Sequence, residues 1–157
     1  MPDMLVKKGD PFPEFELSSH TGIKVTKGDL LGQASVVWFY PKAATPGWTK
    51  ESIGFRDEFA KYTALGVKVF GVSYDSVAAN NKFASKHDLP FLLLSDSKRE
   101  LAIKLGLAKD SSAWFAPRMS YILDGDGVIL EVIDVKNAGS HAKDTLQLLD
   151  ACLWWMK

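Results

Sequence analysis

Apolar and polar positions change period several times along the chain, and each change marks an element. "ASVVWFY" (Ala34–Tyr40) is almost continuously apolar and rich in β-formers, the pattern of a strand covered on both faces. The next segment, "KESIGFRDEFAKYTALG", shifts to helical spacing. Ser52, Phe55, Phe59 and Tyr62 fall on one face, and Gly66 is a stop signal. "VKVFGVS" (Val67–Ser73) reads as a strand again, and Asp75 or Ser76 caps a helix through "VAANNKFASKHD". "FLLLS" (Phe91–Ser95) is another buried strand, followed by a short helix over "KRELAIKLGL" that ends at Gly106. "MSYIL" and "VILEVI" flank "DGDG" (Asp124–Gly127), a hairpin signal. The last segment, "HAKDTLQLLDACLWWMK", places Leu146, Leu149, Leu153 and Met156 on one helical face. Ahead of all these, "GDPFPEFELSSHTGIKVT" carries two prolines and then alternation around "FEL" and "IKV", which predicts a short hairpin.

The order is therefore hairpin, strand, helix, strand, helix, strand, helix, hairpin, helix. Alternating strands and helices imply parallel strands joined by right-handed crossovers, and the closing hairpin adds antiparallel ones. This is the thioredoxin-like α/β plan: a mixed central sheet flanked by helices, with an N-terminal hairpin extension. The 157 residues suit one domain spanning 1–157, long enough to bury a core without disulfides.

Composition narrows the function by exclusion. Nineteen basic residues balance 19 acidic ones, which gives no electrostatic case for nucleic acid or an anionic membrane. No apolar run approaches the ~18 residues of a membrane helix. The N-terminus has no leader pattern, so the expected location is the cytoplasm. The single cysteine, Cys152, excludes an intramolecular disulfide, a Cys-x-x-Cys pair and a multi-cysteine zinc site. His20, His87 and His141 lie in different segments without ligand spacing, and no metal or other cofactor is expected.

In open α/β sheets, sites lie beyond the carboxyl ends of strands. Three such ends stand out: Tyr40-Pro41, Ser73-Tyr74-Asp75 and Ser95-Asp96. The first leads into "PKAATPGWTKES", where Thr45-Pro46 reads as the mouth of a helix. The longer segment "YPKAATPGWTKESIGFRDEF" resembles the active-site segment of peroxiredoxins of the bacterioferritin-comigratory, or peroxiredoxin Q, class. "GDPFPEFEL", "GVKVFGVSYDS", "KFASKHDLPFLLLSD" and "RMSYILDGDGVI" extend the resemblance, in order, over nearly the whole chain. It implies the thioredoxin-like fold and thiol-dependent reduction of hydroperoxides. It also implies a thioredoxin-like reductant or another peroxiredoxin as partner, and a monomer or simple dimer. In that class a cysteine thiolate in the first helical turn attacks the O–O bond, and a proline, a threonine and an arginine support it.

Pro41, Thr45 and Arg118 match the supporting positions, but the attacking position is Trp48. The class's resolving positions correspond to Ile53 and to Ala84 of "KFASK", neither a thiol. An indole N–H only donates, and the ring does not displace hydroxide from a peroxide. Cysteine peroxidase activity is therefore expected to be absent. Arg118, lacking its anion, is expected against the Trp48 ring or paired with Glu51, one turn further on. Three functions stay open: a silent homologue that binds a partner, an enzyme using Cys152 or another route, and a ligand-binding module in the remodelled pocket. Thr45 orients a ligand or simply caps the helix, Cys152 reacts or packs, and Trp154-Trp155 anchors a partner or closes the core edge.

Overall fold

A computed structural model describes residues 6–42, 46–134 and 140–154, those at 46–48 and 152–154 by their backbone. Its centre is one seven-stranded sheet in the order β2-β1-β5-β4-β3-β6-β7. β3 (Ser35–Phe39), β4 (Lys68–Ser73) and β5 (Leu92–Ser95) run parallel, as βαβ alternation requires. β6 (Met119–Leu123) lies antiparallel to β3 and pairs with β7 (Ile129–Asp134) through the Asp124–Gly127 turn. The hairpin of β1 (Glu16–Ser19) and β2 (Lys24–Thr26) joins antiparallel to β5. The thioredoxin-like plan and its N-terminal extension are both present.

Side-chain alternation splits β3 between two cores. Val37 and Phe39 face a cluster with Phe12, Phe15 and α3 (Glu100–Leu105). Val36, Trp38 and Tyr40 face the other side, where α1 (Pro46–Ala64), α2 (Val77–His87) and α4 (His141–Trp154) pack. On α1, Ser52, Phe55 and Tyr62 are fully buried, and Phe59 packs partly buried against the same core, as the spacing predicts. Gly66 ends that helix with φ +74°, a left-handed turn that suits glycine. Of the two candidate caps for α2, Ser76 does the work: its hydroxyl accepts from Ala79 N–H at 3.1 Å. On α4, Leu149 is fully buried and Leu146 packs partly buried, whereas the Leu153 side chain and Met156 lie outside the described residues.

One element is unforeseen. A single 3-10 turn, Lys27–Leu30, follows β2 and seals the core with Leu30. Asp29 starts it by accepting the Thr26 N–H at 2.8 Å. No helix is long and apolar enough to cross a membrane among the described residues.

Candidate functional site

The chain leaves β3 at Phe39 and enters α1 at Pro46, a residue whose fixed φ and missing N–H suit a first helical position. Trp48 therefore sits in the first turn of α1. Pro41 is half-buried beside that exit and lines a groove of about 360 Å³ with Tyr74, Arg99, Trp114 and Phe115. Arg118 is half-buried one residue before β6. Since Phe39 pairs with Met119, carrying the register one step further puts Arg118 opposite Tyr40. The fold thus brings Pro41, Arg118 and the start of α1 to one end of the sheet. Thr45 and the Trp48 side chain fall outside the described residues, so the expected Arg118–Trp48 contact does too.

The expected pairing of Glu51 with Arg118 is not what the structure holds. Glu51 lies on the apolar stripe of α1, in step with Phe55, Glu58 and Tyr62, and is fully buried. Its Oε1 accepts from Trp38 Nε1–H at 3.0 Å, and its Oε2 faces His141 Nδ1 in a short hydrogen bond. The far nitrogen of the same imidazole, Nε2, is 2.9 Å from Ser120 Oγ. A carboxylate only accepts, so the indole and Nδ1 both donate to it. Nε2 and the Ser120 hydroxyl share the hydrogen bond on the far side of the ring. Trp38, Glu51 and Ser120 are fully buried and His141 is 2% exposed. The carboxylate is therefore spent inside the core, on β3 and α4, and no ion pair of Arg118 occurs among the described residues.

Serine, imidazole and carboxylate stand in the order of a hydrolase triad. Ser120, however, is the second residue of β6, laddered between Trp38 of β3 and Ile133 of β7, with no exposed surface for a substrate. The arrangement holds elements together: the sheet through Trp38 and Ser120, α1 through Glu51, α4 through His141. Tyr62 adds a bond from its hydroxyl to the Ala142 carbonyl at 2.6 Å. Sequence reasoning separated these four residues. The available signal was a glutamate in step with Phe55 and Tyr62, which demands a buried partner.

The other strand ends hold structural groups. Tyr40 donates to Asn80 Oδ1 at 2.6 Å beneath the site. Asp96 accepts from Leu101 and Ala102 N–H at 3.2 and 2.9 Å, which starts α3, and burial lifts its carboxyl to about 6. Arg99 lies with its guanidinium 4.6 Å from the Tyr74 ring centre and donates to the Ala113 carbonyl, fixing the base of the Trp114–Phe115 loop. Ile53 lies in α1 and Ala84 is buried in α2. The Cys152 side chain, Trp154's side chain and Trp155 fall outside the described residues. Among the described residues, no group of three or more His, Cys, Asp or Glu could hold a metal.

Three comparisons agree with this geometry. The AhpC/TSA family model matches residues 8–132. The chain is 36% identical over 147 residues to the chloroplastic peroxiredoxin Q of Sedum lineare, covering 93% of this chain and 79% of that protein. It is 34% identical over 148 residues to a putative peroxiredoxin bcp of Coxiella burnetii, covering 91% and 98%. Among solved structures, peroxidoxin BcpB from Mycobacterium tuberculosis superposes with a TM-score of 0.86 at 32% identity, covering 93% of this chain and 97% of that one.

Proposed function

This chain belongs to the AhpC/TSA family, in its peroxiredoxin Q class, and from that premise we propose that it is a member without cysteine peroxidase activity. The observation that carries the reading is the residue in the first turn of α1: Trp48 stands where the class places its attacking thiolate. An indole offers neither a thiolate nor a sulfur that could cycle through a sulfenic acid. Ile53 and Ala84 offer no resolving thiol either. The supporting positions Pro41, Thr45 and Arg118 remain. A frame kept without its nucleophile fits a protein that acts by binding, with a thioredoxin-like reductant or another peroxiredoxin as the partner class.

Hydroperoxide consumption with dithiothreitol as reductant tests the reading in three proteins. Wild type is expected to match the uncatalysed rate. Trp48→Cys is expected to exceed it by at least about 100-fold, the scale on which a positioned nucleophile and its donors act. Thiol-dependent turnover by wild type that persists in Cys152→Ser would overturn the proposal. Turnover lost in Cys152→Ser would instead make Cys152 the working thiol.

A further inference from the structure

We propose that Trp38 is a one-electron redox site: its buried indole gives an electron to a radical oxidant of the peroxyl or alkoxyl class while its N–H proton passes to Glu51. The inference stands apart from what position 48 does. It rests on the hydrogen-bonded chain Trp38–Glu51–His141–Ser120 and on its enclosure.

An indole gives up an electron more readily when a base waits at its N–H, because the proton then leaves with the charge. Trp38 has such a base 3.0 Å away, in a carboxylate that cannot swing aside because its other oxygen is held by His141. Other buried aromatics with acidic protons are less favoured. Tyr40 and Tyr62 donate to the amide oxygens of Asn80 and Ala142, both at 2.6 Å, and amide oxygens are far weaker bases. The network also stays satisfied after transfer. The new Glu51 O–H donates back to the bare ring nitrogen, Oε2 still accepts from Nδ1–H, and the Ser120–Nε2 bond is unchanged.

Enclosure protects the product. Trp38 has no exposed surface; Phe55 stacks on it at 4.1 Å and Phe91 meets it edge-on at 5.2 Å. Tyr40, two residues along the same strand face and next to Pro41, has its ring centre 6.4 Å away, on the side where the chain reaches the surface groove. In the step, the indole N–H bond breaks and an O–H bond forms at Glu51 Oε1. The oxidant gains one electron and leaves as a peroxide or alkoxide anion, which water protonates. A one-electron reductant of the thiol or enediol class returns the electron, and Glu51 returns the proton.

The test is photo-oxidation of the full chain by a soluble ruthenium polypyridyl sensitiser, read by transient absorption and freeze-quench electron paramagnetic resonance. We expect a neutral indole radical that outlives that of free tryptophan amide by about tenfold or more, as burial in a satisfied network implies. Trp38→Phe should remove it, and Trp114→Phe, at an 83% exposed ring, should not. Glu51→Gln should yield the cation radical instead, in about tenfold lower yield. If Trp38→Phe does not fold, the chain with Trp48, Trp114, Trp154 and Trp155 all changed to Phe decides by retaining the signal. A long-lived radical that survives Trp38→Phe, is missing from the single-indole chain, or stays neutral in Glu51→Gln overturns the proposal.

Discussion

Asp96 shows how one residue can look like chemistry and serve as structure. As the acid at the end of a parallel strand it occupies a position where catalytic carboxylates are found. Here it is 1% exposed, and its two oxygens receive the Leu101 and Ala102 N–H groups in the first turn of α3. Desolvation outweighs those two bonds and lifts the carboxyl from 3.8 to about 6. The folded chain therefore holds this proton more tightly than the unfolded chain does. Well below pH 3.8 both states are protonated and the folded state bears no cost. As pH rises towards 6 the unfolded chain ionises first, and the folded state loses about 3 kcal/mol of relative stability. Asn at this position cannot ionise. Urea unfolding at pH 4 and pH 7 should therefore show the Asp96→Asn variant gaining about 2 kcal/mol on wild type between the two. A difference that does not change with pH would mean that Asp96 is solvated.

At the scale of elements, the sequence was most legible where period and burial agree. β3 reads as an almost continuous apolar run and β5 as a short one because both sheet faces are covered, and α1 reads as a helix because its buried stripe is long. The 3-10 turn at Lys27–Leu30 was not legible, since four residues held by one aspartate carry no period. The cap of α2 was ambiguous between neighbours for the same reason. The attachment of the N-terminal hairpin was also invisible, because it depends on a side chain reaching another strand. β1 meets β5 over only two paired positions, Ser18↔Ser95 and Ser19↔Leu94. His20 extends the seam: its backbone N–H donates to the Leu93 carbonyl at 2.8 Å, and its Nδ1 accepts from Leu93 N–H at 3.1 Å. An imidazolium cannot accept, and burial already holds the His20 pKa below 6.5. The stabilising bond is thus fully present above pH 6.5 and is lost as pH falls through the depressed folded value. Amide exchange at Leu93, corrected for intrinsic rates, should accelerate as pH drops from 7 to 5 in wild type. It should stay flat in His20→Gln, whose amide oxygen accepts at any pH. Equal behaviour of the two proteins would remove His20 from the seam.

The whole molecule is joined by contacts that no local pattern announces. The βαβ core followed from strand-helix alternation, and the family segment around Pro41 and Arg118 was visible as a run of residues. The join between α1, α4 and the sheet was not, because it links residues 38, 51, 120 and 141 across the chain. Arg118, lacking its anion, invited a pairing with Glu51, whereas the buried stripe of α1 turns that glutamate inward to Trp38 and His141. The energetic consequence can be measured. Removing one partner of a buried pair strands the other, and such losses run to about 3–5 kcal/mol. That is a large part of the roughly 5–15 kcal/mol that separates a folded domain from its unfolded chain. Glu51→Leu leaves the Nδ1–H of His141 and the N–H of Trp38 without an acceptor. His141→Phe leaves one carboxylate oxygen buried without a donor. The double variant strands fewer groups than the two single variants do in sum, and it fills both volumes with apolar atoms. In urea unfolding, each single variant should lose about 3 kcal/mol or more, and the double variant should lose clearly less than their sum. Additive losses would mean that Glu51 and His141 act independently, and that α4 is held to α1 by the Tyr62–Ala142 bond and apolar packing.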